Sequence, residues 1–175
     1  GAALKTGIRK AEYETIVITD GDGTYPNNDI PNMVKAFHDE GLDMVVGART
    51  KNNVQIPLIR RPAKWLITKL ASFLAKTKIP DLNSGMRVMR KDVVKKYFRL
   101  LPDGFSFTTT ITLAMLTNNY NVSYIPIDYF RRSGKSKIRP IHDTYNFIRM
   151  IIMIILYFDP LRIFIPLSLP PIFAG

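Results

Sequence analysis

Along most of the chain, apolar residues recur in two alternating rhythms. From Ala2 to Ala11 they are spaced for a helix, with Leu4 and Ile8 on one face. Thr15-Ile16-Val17-Ile18-Thr19 is a short β-branched run, the pattern of a buried strand. It stops at Asp20-Gly21-Asp22-Gly23, a turn that neither strand nor helix holds in its interior. Asp29 is placed to cap the next helix, with Pro31 in its first turn and Met33, Val34 and Phe37 facing inward as far as Gly41. Met44-Val45-Val46 reads as a second strand, ending in Gly47-Ala48-Arg49. After a polar loop, helical spacing returns from Pro62 to Ala75 and carries Trp65, Leu66, Leu70, Phe73 and Leu74. Gly85 to Met89 then predicts a strand, Asp92 to Leu101 and Phe107 to Leu116 two helices, and Val122 to Ile127 a last strand. Strands alternating with helices predict an α/β domain around a parallel, doubly wound sheet.

The pattern changes beyond that strand. Arg131 to Arg139 is a basic loop containing Gly and Ser. His142 to Phe158 has helical spacing and turns almost wholly apolar before Asp159-Pro160, and a second apolar stretch follows. A membrane-spanning helix needs ~20 apolar residues. The first stretch therefore reads as a helix lying in the membrane interface and the second as the start of a span. The expected division is a globular domain over 1–139 and a juxtamembrane segment over 140–175. The opening Gly1-Ala2-Ala3-Leu4-Lys5 reads as a helix already under way, so the chain is expected to be a fragment.

Charge narrows the partners. Against 14 Asp+Glu stand 25 Lys+Arg, a net charge of +11, so the surface attracts anions: phosphorylated molecules, anionic lipid or nucleic acid. Nucleic acid is not expected, because the basic residues gather ahead of an apolar tail and no aromatic-interleaved recognition motif accompanies them. With no cysteine, a disulfide framework, a thiolate metal site and a cysteine nucleophile are all excluded.

Ligands of a parallel sheet bind beyond the carboxyl ends of its strands, where Asp20 and Asp22 stand. Two carboxylates there can hold a hard divalent cation, Mg²⁺ or Mn²⁺, shared with phosphate oxygens. Two other readings fit the same residues. One is a plain Asp-Gly turn. The other is the Asp-x-Asp-Gly-Thr strand end of haloacid-dehalogenase-type phosphatases, in which the first Asp is a nucleophile and the second an acid/base. Against that reading, no downstream acidic pair follows a strand, and Tyr25-Pro26 is not the usual continuation. Asp81-Leu82-Asn83-Ser84-Gly85-Met86-Arg87 is a second constellation, with a carboxylate, small residues and a cation. Arg49, Arg87, Arg131, Arg132, Lys135 and Lys137 can supply the cationic half of a diphosphate site, although each singly also reads as solvated surface.

These elements stand in one order: Asp20-x-Asp22, Gly47-Ala48-Arg49, Asp81-x-x-Ser84-Gly85-x-Arg87, Gly104-Phe105-Ser106-Phe107, and Arg131-Arg132 before Gly134-Lys135-Ser136-Lys137. In that order the chain resembles the family 2 glycosyltransferases of the dolichyl/polyprenyl-phosphate sugar synthase type. The resemblance implies a GT-A (Rossmann-like), mostly parallel sheet flanked by helices. It also implies inverting, metal-dependent transfer from a nucleotide-sugar donor to a polyprenyl phosphate at a membrane surface. Asp20 and Asp22 would then bind metal and donor diphosphate with Arg49, and Asp81 would lie near the sugar as the catalytic residue. Ser84, Arg87, Arg131, Arg132, Lys135 and Lys137 would contact acceptor or phosphate. The basic flank before the apolar helix points to the cytoplasmic face. A glycan or glycolipid hydroxyl is the alternative acceptor, with Asp81 as its general base; a non-catalytic, basic membrane-associating module is the alternative of another kind. Three departures stand out. Thr24 occupies the place where many members carry a metal-ligating Gln, no acidic residue stands at Thr109 to Ile111, and the strands that would hold the base are not in the sequence. The fragment alone is therefore expected to be catalytically silent.

Overall fold

A computed structural model describes residues 1–51, 65, 68, 69, 71–73, 75–104 and 106–130, with 149, 152, 153, 156, 160, 161 and 164. Its elements are α1 (Ala2–Lys10), β1 (Thr15–Ile18), α2 (Ile30–Asp39), β2 (Met44–Arg49), β3 (Arg87–Arg90), α3 (Lys91–Lys96), α4 (Phe107–Thr117) and β4 (Val122–Ile127), with a short 3-10 turn over Asn27–Asp29. The predicted helix over Pro62 to Ala75 is represented by helical residues at 65, 68, 69 and 71–73. The basic loop of Arg131 to Arg139 and most of the apolar stretch lie outside the described residues. Among the described residues no helix is long and apolar enough to cross a membrane.

The sheet corrects one expectation. Its order is β1-β3-β2-β4. β1, β2 and β4 point the same way, but β3 is inserted between β1 and β2 and runs against both. Among the described residues only β2 and β4 pair in parallel, from Met44↔Val122 to Arg49↔Ile127. The sheet is therefore mixed. The cause is where the chain re-enters it. The loop from Ile79 to Met86 sits at the carboxyl end of β2, so the next strand can only run back down. β3 also begins two residues later than predicted: the Gly85 N–H turns away to the Tyr25 hydroxyl at 2.7 Å, and Met86 keeps only a single bond to β2, its carbonyl accepting from Gly47 N–H at 3.0 Å.

Strand alternation divides the core between the two faces. On one face Ile16, Met44, Val46 and Met89 pack against Ile8 of α1, Val93 and Val94 of α3, and Ile111 and Met115 of α4. On the other, Val45, Val88 and Ile127 meet Met33 and Phe37 of α2, with Tyr25 and Met86. Met33 and Phe37 are one helical turn apart and almost fully buried, each contributing about 2 kcal/mol of apolar burial. Asp29 stands at the N-cap of α2 but makes no capping bond there; its carboxylate lies 3.9 Å from Lys51 Nζ instead.

Asp43 fixes the start of β2. Its Oδ2 accepts from Asn121 N–H at 3.0 Å and its Oδ1 from Arg90 Nη1 at 3.1 Å. Asp43→Ala is expected to cost about 1–2 kcal/mol, chiefly by stranding the Asn121 N–H. The check is the urea midpoint, which should fall while the slope of the transition stays unchanged.

Candidate active site

Asp20 and Arg49 stand at the carboxyl ends of β1 and β2, and a single loop is sewn onto them. Asp81, fully buried, accepts from Arg49 Nε at 2.7 Å, Arg49 Nη2 at 2.9 Å, Arg49 N–H at 3.1 Å and Asn83 N–H at 3.3 Å. Two of those bonds form a bidentate guanidinium–carboxylate fork. The face of the Tyr129 ring lies under the same guanidinium, 5.0 Å from centroid to Cζ, in a cation–π contact. Burial opposes the charge on Arg49, but the hydrogen bond and charge of Asp81 outweigh it, so its pKa lies above the ordinary arginine value.

Further along the loop, the Ser84 hydroxyl donates to the Gly47 carbonyl at 2.5 Å. Asp20, at the end of β1, packs directly on Gly85: a Cβ there would lie 2.9 Å from both carboxylate oxygens of Asp20. A side chain at this position would push the Asp20 carboxylate aside. Tyr25 braces the same point through its hydroxyl and meets Tyr129 edge to face at 5.2 Å. Its phenol pKa is raised, mainly by burial. Asp22 is turned inward locally, its Oδ1 accepting from the Thr24 hydroxyl at 2.6 Å and the Thr24 N–H at 3.2 Å. Phe130 N–H bonds the Thr24 carbonyl at 2.9 Å, which brings the end of β4 onto the turn.

Asp20, Asp22, Arg49 and Asp81 are thus gathered at one end of the sheet. Two other expected contacts are placed differently. Arg87 is fully buried, and its guanidinium donates to the carbonyls of Ser84 at 2.9 Å and Leu82 at 3.0 Å and to the Thr112 hydroxyl, with Met44 Sδ at 3.4 Å. It holds the loop from beneath and does not face a ligand. Burial pushes its pKa down to about 10, which leaves it charged at neutral pH. Ser84, equally buried, is likewise a strut, since its hydroxyl is committed to Gly47. At the helix where an acidic residue is absent, Thr109 donates to Asn83 Oδ1 and steadies the loop from a third side. Arg131, Arg132, Lys135 and Lys137 lie outside the described residues.

Sequence reasoning missed Tyr25, Asn83, Thr109, Thr112 and Tyr129. Each acts on a partner distant in the chain, as Tyr25 does on Gly85, and no local pattern marks such a pairing. Among the described residues no cluster of three or more His, Cys, Asp or Glu side chains is placed to hold a metal ion. A cation here would have to share its shell between Asp20, Asp22 and ligand oxygens. The pair suits that, being hard oxygen donors, with Gly85 leaving room at Asp20 that any side chain would fill.

Comparison with known proteins agrees with this geometry. The family described as glycosyl transferase family 2 matches residues 1–98. The chain is 31% identical over 141 residues to a dolichyl-phosphate hexose transferase of Haloferax volcanii, covering 80% of this chain and 60% of that protein. It is 26% identical over 143 residues to a polyprenol monophosphomannose synthase of Mycolicibacterium smegmatis, covering 78% and 53%. The chain thus spans little more than half the length of these relatives. Among solved structures, S. aureus TarS in complex with UDP-GlcNAc superposes with a TM-score of 0.56 at 18% identity, over 88% of this chain and 46% of that one, which is a likeness of fold. The family match includes the Asp20–Asp22 turn and sets aside the phosphatase reading of it.

Arg87→Met is expected to lower stability by about 3 kcal/mol, because it leaves the Leu82 and Ser84 carbonyls without donors inside the core. Denaturant unfolding measures this; a loss below about 1 kcal/mol would mean that the loop is held without the guanidinium.

Proposed function

The chain belongs to glycosyl transferase family 2, and from that premise we propose that it serves the transfer of a sugar from a nucleotide-sugar donor to a polyprenyl phosphate, at the cytoplasmic face of a membrane. The observation that carries this reading is the packing of Asp20 on Gly85, which sets the Asp-x-Asp turn against the Asp81–Arg49 pair at the sheet's ligand-binding end. The named activities of the two relatives support the acceptor class.

The buried loop also favours a phosphate acceptor over a hydroxyl. A hydroxyl nucleophile needs a general base, and Asp81 was the candidate. Its carboxylate already accepts four bonds, from Arg49 and Asn83, which is the capacity of two oxygens. It is a positioning group for Arg49. A phosphomonoester loses its second proton near pH ~6 and is largely a dianion at neutral pH, so it attacks without a base. In this reading an acceptor phosphate oxygen forms the new bond to the anomeric carbon. The bond from that carbon to the diphosphate oxygen breaks, its electron pair leaves with the nucleoside diphosphate, and the centre inverts.

Asp20 and Asp22 would hold Mg²⁺ or Mn²⁺ together with the donor diphosphate, and when bound the ion would supply charge neutralisation for the leaving group. Arg49, kept charged by Asp81, adds a fixed positive charge at the same end of the sheet. Lys135 and Lys137, with Arg131 and Arg132, are proposed to meet the acceptor phosphate as it arrives from the membrane.

In the intact protein, Asp22→Asn is expected to reduce Mn²⁺- or Mg²⁺-dependent transfer by roughly a hundredfold or more, since even groups that only orient metal ligands contribute roughly 10- to 100-fold. Gly85→Ala should weaken donor binding in titration calorimetry while the far-ultraviolet circular dichroism is unchanged. Turnover of Asp22→Asn at the wild-type rate would remove the metal assignment. For the basic loop, replacing Lys135 and Lys137 by Gln is expected to lower transfer to a short, soluble prenyl phosphate with no membrane present. If those kinetics are intact and only membrane binding falls, the loop is an anchor and not part of the site.

A further inference from the structure

Thr24 stands where many members of the family carry a metal-ligating Gln, and the structure turns it inward. It is fully buried, although Gly21 and Gly23 just before it are exposed. Its hydroxyl donates to Asp22 Oδ1 at 2.6 Å, and its N–H donates to the same oxygen at 3.2 Å. A hydroxyl buried and committed in this way is not a group held out to a ligand.

Asp22 needs such a partner. It lies between Gly21 and Gly23, where an added Cβ would meet no atom within 4 Å, and Gly23 takes a left-handed φ of 72°. A carboxylate on a turn flanked by glycines has many conformations open to it. Thr24 is the point at which the chain becomes fixed again. Its carbonyl accepts from Phe130 N–H at 2.9 Å. The next residue, Tyr25, is fastened to the Gly85 N–H at 2.7 Å and packs edge to face on Tyr129 at 5.2 Å. A β-branched side chain on so firm a base is stiff about χ1, so the Thr24 hydroxyl presents itself to Asp22 from one place. The two carboxylates of the Asp-x-Asp turn are thus located by different means: Asp20 by its packing on Gly85, Asp22 by Thr24.

We propose that Thr24 is a positioning residue for Asp22, outside the metal shell, whose hydroxyl holds the carboxylate in the orientation that receives a divalent cation and the donor diphosphate. The inference rests on the metal reading of Asp20 and Asp22 given above, and it deepens that reading by saying how this chain does without a further ligand at position 24. Its physical content is preorganisation. A carboxylate ordered before the cation arrives loses less freedom on binding it. Through the carbonyl of the same residue, the metal end of the turn is also tied to the end of β4.

In the intact protein, Mn²⁺ binding in the presence of UDP or GDP is read from the loss of the free-ion electron paramagnetic resonance signal. Thr24→Val keeps the shape and removes the hydroxyl. It should weaken Mn²⁺ binding by roughly 10- to 100-fold, as expected when a group that orients a metal ligand is lost, and Thr24→Ser should restore most of the affinity. Urea unfolding of the metal-free protein separates positioning from ligation. Thr24→Val should lower the midpoint, and should lower it much less in an Asp22→Ala background, where the bond is already gone. Equal falls in the two backgrounds, a Ser variant as weak as the Val variant, or a Val variant that binds Mn²⁺ like the wild type would each overturn the inference and leave Asp20 and Asp22 as the metal pair. If the wild type binds no Mn²⁺, or Asp22→Asn binds it as tightly as the wild type, the metal reading falls and the role of Thr24 falls with it.

Discussion

The bond between the Asp81 carboxylate and Arg49 is the constraint on which the candidate site depends. It joins the loop between β2 and β3 to the last residue of β2, through two of the guanidinium nitrogens and the backbone N–H of Arg49. An isolated buried carboxylate would cost several kcal/mol. Here the opposite charge, the fork geometry and a further donor from Asn83 offset that cost. Because the loop is pinned at Asp81 and again where Ser84 meets Gly47, Gly85 has one place to lie, against Asp20. The Asp-x-Asp turn and the loop are thus one unit.

The same pinning decides the sheet. A loop fastened at the carboxyl end of β2 returns its chain into the sheet from that end, so β3 runs antiparallel between β1 and β2. Arg87, the first residue of β3, stands opposite Ile18, the last residue of β1, and Val46 in the middle of β2. From there its buried guanidinium reaches the Leu82 and Ser84 carbonyls, as a charged strut beneath the site. Helix α4 accommodates that charge with threonines. Thr112 receives Arg87 while its own hydroxyl donates to the Thr108 carbonyl four residues back, and Thr110 does the same to Ser106.

The site therefore divides into two sets of groups. Asp81, Ser84 and Arg87 are fully buried and hold positions. Asp20 is exposed and Asp22 half-buried at the mouth, the arrangement expected when rigid inner groups set the location of outer ones that meet ligand. A sequence motif does not distinguish these sets, because a charged residue in a loop has the same chemistry whichever way it faces.

Much of this was legible before the fold was known. Period-3.6 spacing located α1 and α2, which bury one face, while short apolar runs located β1, β2, α4 and β4, with β2 and α4 buried nearly all round. The Asp20-Gly21-Asp22 turn was recognisable as a strand end, and the order of motifs pointed to glycosyl transferase family 2. Strand order, the reversal of β3 and the inward burial of Ser84 and Arg87 were not legible. Each depends on contacts between segments dozens of residues apart, such as Gly85 with Tyr25 or Arg49 with Asp81, and chain periodicity carries no record of them. By itself the sequence determined which segments fold as helix or strand and which residues have the chemistry to bind phosphate. Tertiary structure alone decided which of those residues are buried struts and which stand open at the carboxyl end of the sheet, because burial and hydrogen-bond partnership belong to the packed whole.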